Sequence, residues 1–247
     1  MAQRLESPPK IVNGKAMVAK WLHLEELGGD PWVLPIWTVV SAAVAAGKVP
    51  AISKELSEMG VHVSTRFNVI PRIINRLNDE ISDIYKTART HKPGHVFTEK
   101  SKGKALRVDN DLKYHIIADI DAFLFEVNAC AELMHRFFQL LHGHAGSPVA
   151  YADLTKKISG ALKKHGVAAD WFCMLDRNRN FATHKGTPYL SIDVTNDGAY
   201  ELLIMKENLT RFDESKKYFR YSELVAIAKG FSAAKEALQK CLIDLFK

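Results

Sequence analysis

Only three cysteines, Cys130, Cys173 and Cys241, occur in 247 residues, far apart and odd in number. That pattern excludes a disulfide framework and a Cys-x-x-Cys metal knuckle. All three lie in apolar helical patterns and read as buried thiols of a reducing cytoplasm. The opening MAQRLESPPK has neither the basic start nor the apolar core of a secretory signal. Nor does any uncharged run reach the roughly 20 apolar residues that span a bilayer. The nearest, PWVLPIWTVVSAAVAAG, is interrupted by Pro35 and reads as a buried helix. Internal repeats and low-complexity tracts are also lacking. These absences lead to the expectation of a cytoplasmic protein with no membrane partner.

The remaining composition, 47% hydrophobic and 25% charged, is that of an ordinary globular chain long enough for one large domain or two small ones. A net charge of +6 permits attraction to nucleic acid, but the excess is spread along the chain.

Helical spacing marks residues 15–27, then the uncharged segment from about Ile36, then a short helix, AISKELSEM, that Gly60 ends. Ser64 and Thr65 are candidate caps for a longer helix, RFNVIPRIINRLNDEISDIYKTA, in which Pro71 should kink the chain or start the regular part. Residues 91–108 combine Pro, Gly and the basic run KSKGK and read as an exposed connection, the clearest candidate boundary in the chain.

After Asp109 the signal is strongest. Ile116, Ile120, Phe123, Val127, Ala131, Met134, Phe138 and Leu141 recur every three or four residues, predicting a helix over 111–142. Ser147 and Pro148 suggest the cap and first turn of a helix closed by Gly166. Another follows from about Val167, with Trp171, Met174, Leu175, Asn178, Phe181 and Ala182 on one face. YLSIDV and YELLIMK flank a turn at Asn196-Asp197-Gly198, a β-hairpin near 189–206, and a C-terminal helix carries Leu224 to Leu245. The expected fold is mainly α. An N-terminal helical region, 1–108, precedes a four-helix bundle, 109–247, with the hairpin inserted between its third and fourth helices.

The functional clue is RNFATHKG, residues 179–186, where an apolar helical segment stops. In this place it resembles the signature of the HEPN superfamily, small helical bundles with an Arg, a polar residue after it, and a His four to six residues further on. The resemblance covers roughly residues 109–247. It implies a metal-independent RNA-cleaving site, with no cofactor, assembled where two subunits pair. By position, Arg179 matches the motif Arg, Asn180 the polar residue and His184 the His. Many members bind or regulate without cutting, so a noncatalytic RNA-binding or protein-binding module is the second reading. Family analogy also suggests a toxin or defence role, with an antitoxin or regulatory protein as partner.

The residue types suit that chemistry. Cleaving RNA with its own 2′-hydroxyl needs a proton acceptor near neutrality, which His supplies, and a cation on the phosphoryl oxygens, which the Arg fork supplies. Near a helix C-terminus His184 can instead hold its proton and act as acid. Asn180 can orient the imidazole or bind sugar. Spacing alone is weak: eleven Arg and ten His produce about 0.4 chance pairs at any one separation. On a regular helix Arg179 and His184 point about 140° apart, whereas Arg177 and His184 point within roughly 20°. Either the helix unwinds before His184, or Arg177 is the better partner within one chain, or a second subunit completes the site.

Supporting residues are Glu126 and Asp119 on the long helix, as acids able to hold Arg179 or His184 in place, or as a solvated stripe with His115. Lys185, with Arg177, Arg179 and the lysines of ALKKHG and DLTKK, could form a basic RNA groove or a solvated face. His135, His142 and His144 lack a nearby Cys or acid at ligand spacing, so polar residues at a helix end explain them without a metal. Finally, residues 50–77 have the outline of a helix-turn-helix that would show Arg66, Arg72 and Arg76 to DNA on one exposed surface.

Overall fold

A computed structural model describes residues 29–90, 106, 108–184, 188–196, 199–207, 209 and 214–247, with side chains omitted at 183 and 184. The helix expected over 15–27, the KSKGK run, Lys185 and most of the hairpin turn lie outside these residues.

The chain enters through a 3-10 turn, Pro31–Val33, capped by Asp30, whose carboxylate accepts from the Trp32 N–H at 2.9 Å. It continues into α1, Leu34–Ala45, and then α2, Lys54–Phe67, where Ser53 accepts from the Leu56 N–H. Gly60 does not end this helix. It lies under the Trp37 ring, where a Cβ would stand 2.5 Å from Trp37 Cζ2. The glycine therefore marks a close helix crossing. Ser64, expected to open the next helix, sits inside α2 and donates to the Asp30 carbonyl at 2.7 Å. The break falls at Asn68, and α3, Val69–Thr90, carries Pro71 in its first turn, where a missing N–H does no harm.

α4, Asn110–His144, is the predicted long helix, opened by Asp109, which accepts from the Asp111 N–H at 2.7 Å. At 35 residues it is about 52 Å long. Every member of its predicted stripe is buried, and so are Leu124, Cys130 and Phe137 off that stripe. Burial on more than one side follows from its neighbours: α2 and α3 pack along it, and so do the later helices. Ser147 closes α4, with its N–H on the His142 carbonyl at 3.0 Å and its Oγ 3.1 Å from His142 Nδ1. Hence it does not cap α5, Tyr151–Lys164, whose N-cap is Ala150. Gly166, at φ +70°, ends that helix as expected.

α6, Asp170–His184, buries Trp171, Leu175, Asn178 and Phe181, the face read from the sequence. β1, Tyr189–Asp193, and β2, Glu201–Met205, form the expected hairpin, with Tyr189 opposite Met205 and Asp193 opposite Glu201. A third strand, β3, Tyr218–Arg220, was not expected; it pairs antiparallel with β2 and leads directly into α7, Tyr221–Asp244. Phe219 of β3 meets Phe181 of α6 edge-on at 5.9 Å, which seats the sheet on the end of α6.

Among the described residues one hydrophobic cluster runs from Trp32 to Phe246 and draws on each helix from α1 to α7. The stretches before and after the 91–108 connection thus share a core. α6 and α7 cross closely at Gly230, where a Cβ would stand 2.3 Å from the Trp171 side chain.

Candidate functional site

The outer face of α6 follows from its inner one. With Trp171, Leu175, Asn178 and Phe181 turned to the core, the 3.6-residue period turns Asp176, Arg177 and Asn180 to solvent, with Arg179 half-buried beside them. Asp176 then organises the exposed polar group. One carboxylate oxygen lies 3.3 Å from Arg179 Nη2, and the other accepts from Asn180 Nδ2 at 3.2 Å. Asp176 was not among the expected site residues, because the motif pattern runs forward from Arg179 to His184. Its signal was nonetheless present, since positions three and four residues apart are neighbours on a helix.

Arg177 points elsewhere. Its guanidinium pairs with Glu223 in the first turn of α7, and its Nε lies 3.5 Å from Asn178 Oδ1. Asn178 is fully buried, and its amide nitrogen has no hydrogen-bond partner.

His184 is the last residue of α6, so the helix does not unwind ahead of it. This corrects the expectation that an early helix end would turn His184 back towards Arg179.

The acids expected to support the octet, both on α4, pair instead with arginines of α2 and α3. Asp119, buried, grips the Arg76 guanidinium of α3 with both oxygens. Glu126 lies 3.0 Å from Arg66 Nε of α2. Neither reaches Arg179. Near Asp119, burial and then the Asp119 charge push the Glu80 carboxyl above its ordinary range, with His115 4.0 Å from it pulling the other way.

The same pairs alter the helix-turn-helix reading. Its turn does not exist at Gly60, Arg66 and Arg76 are bound to acids of α4, and Arg72 donates to the Asn68 carbonyl. The basic groove is also divided. Lys156, Lys157 and Lys164 of α5 line a cleft that reaches Cys241 on α7. Arg177 meets α7 at Glu223, 18 residues earlier, which is about 27 Å along the helix.

All three cysteines are free thiols, but only Cys130 is buried, and burial pushes its thiol up to about 12. Cys241 is half-buried and Cys173 is exposed, contrary to the expectation of three buried thiols. Among the described residues no group of three or more His, Cys, Asp or Glu side chains could hold a metal ion. None of their helices is long and apolar enough to cross a membrane.

The chain matches no family model, no curated protein and no solved structure.

Proposed function

We propose that the chain is a HEPN-like, metal-independent endoribonuclease, or a protein derived from one, that works as a homodimer in the cytoplasm. The observation that carries this reading is the joint presentation of Arg179 and Asn180 by Asp176 on the outer face of α6, one turn before His184 ends the helix. The bundle order supports it, since α6 is the third of the four helices from α4 to α7 and the sheet follows it.

In this mechanism the RNA 2′-oxygen bonds to phosphorus and the P–O5′ bond breaks. A cyclic phosphate remains on one fragment and the 5′-hydroxyl of the other takes up the proton. Arg179 stabilises the charge on the phosphoryl oxygens and Asn180 orients the imidazole or the sugar. His184 handles the proton, and a two-fold axis that brings two copies of α6 together would gather both motifs into one cleft. A toxin or defence role, with an antitoxin or regulatory protein covering the site, fits such an activity.

The test is RNA cleavage in EDTA, with analysis of fragment ends and sedimentation of the protein. Cyclic phosphate ends, a dimer and abolition by His184→Ala support the reading, whereas full activity in His184→Ala overturns it. A noncatalytic RNA-binding or protein-binding module is the second reading. It is favoured by the carboxylate partners that Arg177 and Arg179 already hold, and it predicts binding without turnover, retained in His184→Ala.

A further inference from the structure

Beside the Arg177–Glu223 pair, where α3, the sheet and α7 meet, lies a cleft of about 460 Å³ lined by Tyr85, Tyr200, Glu201, Tyr221, Ser222 and Lys229. That volume suits a small planar ligand, since such sites run from about 300 to 1,000 Å³. The cleft is built rather than incidental. The Tyr85 hydroxyl accepts from the Leu202 N–H of β2 at 2.7 Å, and the Tyr221 hydroxyl donates to Asn78 Oδ1 of α3, so both rings are held. Tyr200 stands perpendicular to Tyr85, with ring centres 5.9 Å apart. Burial pushes the Tyr85 hydroxyl up to about 12, so the ring stays neutral.

The polar groups narrow the ligand. Glu201 Oε1 accepts from the Ser222 N–H at 2.9 Å, which aims the carboxylate and covers the start of α7 with a negative charge. A phosphate is therefore repelled from this point. A cationic ligand is opposed as well: Lys229 lines the cleft and the Arg89 guanidinium lies 5.2 Å over the Tyr200 ring. What remains is a neutral aromatic ring whose edge offers donors to a carboxylate and an acceptor to an ammonium. Guanine carries that edge, with N1–H and N2–H beside O6. Aromatic side chains are also the usual platform for unpaired bases.

We propose that this cleft binds an unpaired guanine of single-stranded RNA, with the base against the tyrosines, its N1–H and N2–H edge on Glu201 and its O6 facing Lys229. The inference rests on the ribonuclease reading for its choice of polymer. Ser222 lines the cleft and Glu223, the next residue, holds Arg177, so the cleft and the Arg177 pair share the first turn of α7.

The test is calorimetric titration of the full-length protein with guanosine, adenosine, cytidine and uridine 5′-monophosphates, and with the pentanucleotides UUGUU and UUUUU. Preference for guanosine monophosphate and for UUGUU is expected. Tyr200→Ala should weaken UUGUU binding about tenfold, as loss of one stacked base does. Tyr200→Phe, which keeps the ring, should restore it. Glu201→Gln should erase the preference between the two pentanucleotides while circular dichroism shows the fold intact. Equal affinity for all four nucleotides, tighter binding of choline, or unchanged binding in both Tyr200→Ala and Glu201→Gln overturns the proposal. Arg179-dependent RNA binding without guanine preference removes the cleft and leaves the ribonuclease reading standing. Guanine binding without any cleavage supports the cleft and removes that reading, and no binding of any nucleotide or RNA removes both.

Discussion

Arg177 of α6 is clamped by one oxygen of Glu223, while the other oxygen takes the Arg220 N–H at 3.2 Å at the start of α7. One carboxylate thus ties the helix bearing the octet to the helix after the sheet. Glu223→Gln keeps the shape and the Arg220 contact but releases Arg177. Arg177 is 57% exposed although Glu223 is only 24% exposed, so solvent screens the pair and the stability loss should be about 1 kcal/mol. RNA affinity should rise, and the slope of log affinity against log salt should steepen by about one. Filter binding over a salt series is the measurement, and an unchanged slope removes Arg177 from the RNA surface.

Asp176 acts on Arg179 and Asn180 without itself having a reacting atom to touch. Asp176→Asn removes its charge and keeps its size. Under the proposed ribonuclease reading, steady-state kinetics on an RNA substrate should show KM falling, because Asp176 no longer competes with phosphate for Arg179, and kcat falling several-fold, because Arg179 and Asn180 are no longer held together. A change in KM alone would leave Asp176 as a surface charge with no positioning role.

Two glycines should respond in opposite directions. At Gly230 a Cβ would stand 2.3 Å from Trp171, so Gly230→Ala must push α6 and α7 apart, at a cost of about 1–3 kcal/mol. At Gly160, within α5, a Cβ meets nothing within 4 Å, so Gly160→Ala should stabilise by about 0.5–1 kcal/mol. Urea denaturation of both variants distinguishes close packing from helix propensity.

His142 is buried, and burial followed by the Lys157 charge lowers its pKa, so the folded protein holds the imidazole neutral. The unfolded chain still takes up a proton at the ordinary value of 6.5. Stability from this group is therefore complete above that pH and declines below it. Burial lowers His135 in the same direction. Melting temperatures should fall from neutral to mildly acid pH, and His142→Asn, which can still reach Ser147, should reduce the fall. An identical pH profile in the variant would locate the acid sensitivity in other groups.

Helices held by repetition were legible in the sequence. The stripe from Ile116 to Leu141 is long enough that no single neighbour can override its period, and the inner face of α6 was visible for the same reason. Elements set by one tertiary contact were not. Gly60 reads as a stop until Trp37 is known to lie over it, and Ser147 reads as a cap until His142 is seen to take it. β3 has three residues, too few to show alternation. At the site, the order of α6 and the hairpin was readable, as was the outward position of Asn180. The Glu223 clamp and the pairing of Glu126 and Asp119 with α2 and α3 depend on partners far away in sequence, and the Asp176 anchor precedes the motif rather than lying within it.

The shared core has a consequence for any attempt to handle the octet in isolation. α4 packs against α2 and α3 as well as α6 and α7, so a fragment starting at 109 would leave Phe137 without the Trp32 and Trp37 rings that cover it. Produced as separate polypeptides, residues 1–90 and 109–247 should each aggregate alone and co-purify when expressed together. The helices that carry no motif would then act as an intramolecular chaperone for the one that does.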